Sequence, residues 1–137
     1  MNIENRPVSE DEKAAIKAGF EALNAQAGTP PHQTESINFV AVNDDDTVAG
    51  AVYGYIRWDW VYIDILYVSD GQRGKGLGTD LMNKVEEMAR SRGMTGLHLT
   101  THDWQGPDFY EKLGYRLYGE LDDFPKGHKR LAYCKYL

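Results

Sequence analysis

Residues 72 to 82, QRGKGLGTDLM, set glycines at 74, 76 and 78 among Arg73 and Lys75, between a strand-like apolar run and a helix-like one. A helix N-terminus carries unpaired amides and about half a positive charge from aligned peptide dipoles. Glycines let the main chain approach an anion without intervening side chains, and Arg73 and Lys75 add positive charge in an otherwise acidic chain. The chemistry this spacing points to is phosphate binding at the loop of Gly74, Gly76 and Gly78, with Arg73 and Lys75 beside it; the plainer alternative is an ordinary glycine-rich turn. A second group able to do chemistry is Asp64, the one ionisable side chain in the apolar run WVYIDILYV at 60 to 68.

Several familiar sites are excluded. The triphosphate-binding pattern needs Gly-Lys-Ser/Thr at its end, whereas Lys75 precedes Gly76 and Thr79 follows no lysine. The dinucleotide fingerprint needs G-x-G-x-x-G, and these glycines are spaced two and two. His32, His98, His102 and His128 are scattered without metal-ligand spacing, so no metal is expected. NDDDT at 43 to 47 lacks the glycine and spacing of a calcium loop and reads as a solvated turn.

These groups need elements to position them. Ser9 and Glu12 have capping-box spacing and Ile16, Phe20 and Leu23 recur helically, so residues 9 to 25 form an amphipathic helix ended by Gly28 and the prolines. INFVAV at 37 to 42 and the run from 48 to 58 form a hairpin, and 60 to 68 is a central strand covered on both faces. Leu77, Leu81, Val85 and Met88 define a helix to about Arg92, and GLHLTT at 96 to 101 is the next strand. Strand, helix and strand make a βαβ unit with parallel strands, and the glycine loop leaves the first strand's carboxyl end. A short helix at 107 to 114 and two last strands, at 115 to 121 and 129 to 137, complete the chain.

The length of 137 residues fits one domain, 1 to 137, with no repeat or linker. A net charge of −6 argues against nucleic acid as a partner. Cys134 is the only cysteine, there is no secretory leader and no apolar run approaches the ~18 residues that cross a bilayer, so the chain is expected to be cytoplasmic and off the membrane. Exposed sheet edges near the C-terminal strands are compatible with a homodimer.

The segment ILYVSDGQRGKGLGTDLM resembles the acetyl-coenzyme A motif of the GNAT superfamily of N-acetyltransferases, with Arg73, Gly76 and Gly78 in register. PDFYEKLGYRLYGEL resembles that family's second hallmark, a helix carrying Phe-Tyr and ending in Leu-Gly before a strand. The resemblance covers essentially the whole chain. It implies an α/β fold with a mixed central sheet splayed into a V and helices on both faces. Acetyl-CoA is the implied co-substrate, its pyrophosphate on the amides of 73 to 79 and its pantetheine arm paired with the main chain of Leu66, Tyr67 and Val68, as an added strand would pair. The implied reaction is direct acetyl transfer to a primary amine of a small molecule or peptide; the rival is a non-catalytic CoA-binding sensor or interaction module of the same fold.

A lysine-type amine with pKa ≈ 10.4 is neutral in about one molecule in 2,500 at pH 7, so transfer requires a base, an oxyanion donor and an acid for the leaving thiolate. By the resemblance Tyr110 is the acid and the amide near Leu66 the oxyanion donor. Asp64, nominally on Leu66's face unless a bulge intervenes, is the candidate base, directly or through water; the alternatives are a water chain in its place, or a merely salt-bridged or solvent-facing carboxylate. Glu111 should point away from Tyr110. Asp103 stands where the family often has an asparagine touching pantetheine, with His102 and Gln105 nearby. Trp58 and Trp60 are packing residues or walls of an acceptor pocket. Cys134 has no histidine placed to activate it, which disfavours a covalent intermediate.

Overall fold

Ser9 and Glu12 start the first helix, α1 (Glu10–Ala27), as a reciprocal capping box: the Glu12 amide donates to Ser9 Oγ at 3.2 Å and the Ser9 amide to Glu12 Oε2 at 2.8 Å. Arg6 also donates to both Glu12 oxygens, holding that carboxyl down at about 2. Gly28, in the left-handed region at φ 71°, ends the helix. Ile16, Phe20 and Leu23 do follow helical spacing, yet α1 buries none of its residues.

A computed structural model describes residues 1–137, which cluster into two compact units, Met1–Gln33 and Thr34–Leu137. The second unit holds one sheet of six strands in the order β1-β2-β3-β4-β6-β5: β1 Thr34–Val42, β2 Val48–Arg57, β3 Trp60–Val68, β4 Gly96–His102, β5 Arg116–Asp122 and β6 Lys129–Tyr136. Only β3 and β4 are parallel. They are joined through α2 (Leu77–Ser91), as the apolar periodicities predict, and α3 (Pro107–Lys112) follows β4. β1 begins ahead of the apolar run at 37, because Thr34, Glu35 and Ser36 pair with Arg57, Ile56 and Tyr55, and main-chain pairing is indifferent to side-chain polarity. No helix is long and apolar enough to cross a membrane.

The core lies on one sheet face. Leu81, Met82, Val85 and Ala89 of α2 are buried against Val52, Val61, Ile63, Leu97 and Leu99, each worth roughly 1.5–3 kcal/mol for the larger side chains. Phe109, Tyr110 and Leu113 bring α3 onto the same cluster.

β3 carries a bulge. Ile63 pairs with Gly54 and Ile65 with Tyr53, so Asp64 is the extra residue and the in-out alternation is reset. Ile63 and Leu66 therefore both belong to the core side, whereas Asp64 and Ile65 are exposed. Asp64 and Leu66 do not share a face: the simple period of two fails at the position where the strand gains a residue. Gly54 makes the bulge sterically feasible, since a Cβ there would overlap the Tyr62 carbonyl oxygen and sit 3.0 Å from the Asp64 nitrogen. Gly54→Ala is expected to cost at least about 1–3 kcal/mol, the range of overpacked sites, read as a lower urea midpoint at unchanged m-value.

Candidate active site

β3 and β4 pair only from Trp60–Gly96 to Ile63–Leu99, although β3 continues to Val68 and β4 to His102. Beyond that point the β4-facing main chain of Asp64 to Val68 has no neighbouring strand. This is the opening of a V, and Leu66, Tyr67 and Val68 lie along its edge.

After Val68 the chain makes a short 3-10 turn (Asp70–Gln72), anchored by Ser69 N to Ala49 O at 2.9 Å and by Gln72 Nε2 to Asn43 Oδ1 at 3.2 Å. Gly74 and Gly76 then take φ of 73° and 88°, left-handed values that a side chain strains against. This winding leaves the amides of Gly74 through Thr79 without a main-chain acceptor at the N-terminus of α2. Arg73 and Lys75 are less mobile than their sequence implies. Arg73 Nε donates to Val68 O at 3.1 Å and its Nη1 meets Asp70 at 2.6 Å, while Lys75 Nζ donates to Gly71 O at 2.9 Å. Their charge is thus held beside the turn. The loop borders a cleft of about 390 Å³ that runs from Val68 to Thr79, with Phe109 as its opposite wall.

Gly78 explains the third glycine. A Cβ there would lie 3.3 Å from Phe109 Cζ, so its absence lets α3 approach the start of α2. Tyr110, next to Phe109, is half-buried among the rings of Phe109, Tyr115 and Tyr133, at centroid distances of 5.1, 6.0 and 6.3 Å. Burial pushes its phenol above the usual tyrosine value, so it remains protonated at neutral pH. The neighbouring phenols are engaged: Tyr133 donates to Glu111 at 2.9 Å and is pushed up to about 12, chiefly by desolvation, and Tyr115 donates to Glu86 at 3.1 Å. Tyr110 keeps an uncommitted hydroxyl. Glu111 is directed to Tyr133 of β6, the ring that packs beside Tyr110.

Sequence reasoning missed the group that fixes α3. Glu86, on α2, is 5 % exposed, and Lys135 Nζ lies 3.1 and 3.0 Å from its two oxygens while donating to Leu113 O at 2.7 Å. With Tyr115 and, at 3.4 Å, Arg90, this cluster ties the helix of the glycine loop to the end of the tyrosine helix. The only signal was a glutamate beside the apolar stripe, and its partner is distant in sequence.

Other residues named from the sequence have partners close by. Asp103 accepts from His128 Nδ1 at 3.0 Å and the Lys129 amide at 3.1 Å, which commits it to the β5–β6 hairpin. His102 Nδ1 and Gln105 Oε1 are paired with each other at 2.9 Å. Cys134 does have a histidine beside it: His98 is its cross-strand partner, and Arg116 faces it on the other side. Alternation along β6 puts Tyr133 on the core face with Tyr110 and Cys134 on the opposite one.

The family model for acetyltransferases of the GNAT family matches residues 6–115, from just ahead of the first helix to the residue before β5. The chain belongs to the GNAT acetyltransferase family. That match crosses the boundary between the two compact units, so both are parts of the family's domain in sequence. This acetyltransferase is 36 % identical over 110 residues to blasticidin-S acetyltransferase of Streptomyces morookaense, covering 77 % of this chain and 81 % of that one. It is 32 % identical over 100 residues to streptothricin acetyltransferase of Streptomyces lavendulae, covering 70 % of this chain and 53 % of that protein. A crystal structure of an acetyltransferase from Bacillus cereus ATCC 14579 superimposes with a TM-score of 0.88 at 31 % identity, covering 100 % and 98 % of the two chains.

Lys135→Met in this acetyltransferase leaves the Glu86 carboxylate buried without its principal counter-charge and is expected to cost about 3–5 kcal/mol in urea unfolding. Adding Glu86→Leu should recover most of that loss, since the stranded charge is then removed.

Proposed function

We propose that this acetyltransferase moves acetyl from acetyl-CoA to a primary amine of a small molecule by direct attack. The observation that carries the reading is the row of unpartnered amides from Gly74 to Thr79, at a helix N-terminus and next to the unpaired edge of β3. A diphosphate satisfies the first and an extended amide-bearing arm the second. The names of the blasticidin-S and streptothricin relatives support a small acceptor.

In this reading the thioester lies in the opening of the V. The neutral amine attacks the carbonyl carbon, negative charge builds on the carbonyl oxygen against the Leu66 amide, and the C–S bond breaks as nitrogen keeps the acetyl group. Tyr110 gives its proton to the departing thiolate, a role its burial favours by keeping the phenol protonated. Before attack the acceptor's ammonium form gives one proton to Asp64 or to a water at the exposed bulge, and the second proton that nitrogen releases as the amide forms returns through water to the Tyr110 phenolate. No enzyme-bound acetyl is required.

Calorimetric titration with CoA tests the foundation. Gly76→Ala, forced to a φ of 88°, is expected to bind CoA about tenfold more weakly, whereas Gly71→Ala, with open space around its Cβ and no positive φ, should bind normally. Equal affinity in the two variants contradicts the loop's role. Tyr110→Phe should lower kcat about 100-fold with CoA affinity unchanged. Because the raised pKa keeps Tyr110 protonated, wild-type kcat should show no alkaline loss assignable to this phenol below about pH 10. Tight CoA binding with no acetylation across an amine panel would instead favour a CoA-responsive sensor.

A further inference from the structure

The sheet face opposite α2 and α3 holds a second cavity, of about 380 Å³, on β3, β4, β5 and β6. Trp60, Tyr136 and His98 form its aromatic wall: Trp60 meets Tyr136 edge-on at 5.0 Å and His98 edge-on at 5.8 Å. Arg116, Tyr118 and Cys134 complete the lining. No carboxylate is among these residues, which is notable in a chain of net charge −6. The Arg116 guanidinium stands over the Tyr136 ring at 5.2 Å, and Arg57, paired with Trp60 across β2 and β3, is near enough to act on His98. Burial and then Arg57 lower the His98 pKa, so that ring is neutral at pH 7 and the positive field comes from the arginines.

The position of this cavity relates it to the split. Tyr62 and His98 form the register row shared with Cys134, immediately before the Ile63–Leu99 pair at which β3 and β4 part. At ~3.3 Å per residue, Tyr62 lies roughly 7–13 Å from Asp64 and Leu66 along the strand. The cofactor cleft and Tyr110 occupy the α2 and α3 face, so a body extending from the amine has the opposite face available. We infer that this cavity holds the remote end of the acceptor, and that this end is a planar π-system bearing a negative charge, packed on Trp60 and Tyr136 and paired with Arg116. This deepens the acetyl-transfer reading and rests on it for the acceptor's amine, while recognition of the planar anion stands on the cavity alone. Planarity suits the ring faces presented at the edge-on corner of Trp60 and Tyr136, and charge matches the arginines.

Two probes separate these parts. 4-Pentoxybenzoate has no amine and reports on the cavity by shifting the Trp60 indole N–H resonance in NMR. 4-(5-Aminopentoxy)benzoate and its carboxamide report on acetylation. The expected result is saturable binding of 4-pentoxybenzoate, weakened at least tenfold in Arg116→Gln and partly restored in Arg116→Lys, with CoA affinity unchanged in both variants. In acetylation, KM for the aminopentoxy carboxylate should rise about tenfold in Arg116→Gln at constant kcat, with KM for the carboxamide unchanged. The inference is overturned if carboxylate and carboxamide behave alike, or if Arg116→Gln binds the benzoate as wild type does while still binding CoA. Benzoate binding that depends on Arg116, in a protein that acetylates neither amine, upholds the anion cavity and counts against the acetyl-transfer reading.

Discussion

Main-chain groups that leave one hydrogen-bonded structure before another begins are the constraint around which this fold is arranged. β3 parts from β4 after Ile63 and continues to Val68, and the turn that follows leaves the amides of Gly74 to Thr79 without main-chain acceptors beside a cleft. Burying such groups unpaired is costly, so they are kept at an accessible edge and at a helix end, where a ligand or water can meet them. The split also requires that β3 hold its position without β4. Its continued pairing with β2 as far as Val68 and Gly50 provides that support, and the bulge opposite Gly54 reorients the strand just as it loses its other neighbour.

The two walls of the cleft come from helices that the chain must bring together accurately. Gly78 sets how closely α3 can approach α2, and the Glu86–Lys135–Leu113 connection sets where α3 ends. A buried carboxylate is a poor source of net stability, because desolvation offsets most of the attraction. Its value here is positional: one ammonium satisfies Glu86 on the loop helix and a carbonyl at the end of the tyrosine helix. The effect on Tyr110 is indirect but definite, since a helix of six residues has little stability of its own.

The opposite faces of the sheet have different chemistry. One is closed by aliphatic side chains from α2 and by the tyrosine cluster, whose packing raises the Tyr110 phenol. The other carries aromatic rings and arginines without a layer from α2 or α3, which suits recognition of a polar ligand better than dense packing. The glycine-loop cleft and the aromatic cavity lie on different faces of the sheet, as the proposal of a cofactor and an acceptor meeting at the split requires.

Local pattern made much of this legible. The capping box at Ser9, the continuous apolar run of β3, the four-four-three spacing of α2 and the glycine loop each concern neighbours within a few residues, where propensity and periodicity act directly. Those signals, with the Phe109-Tyr110 helix, were enough to determine the family fold and the position of the glycine loop between β3 and α2. Tertiary structure decided what depends on partners far apart in sequence: the extra residue at Asp64, which appears only when β3 is set against Gly54; the attachment of Asp103 to His128; and the placement of Cys134 between His98 and Arg116. The physical reason is that strand register and buried charge pairing are satisfied between elements, so a sequence read along one dimension supplies the groups without their mates.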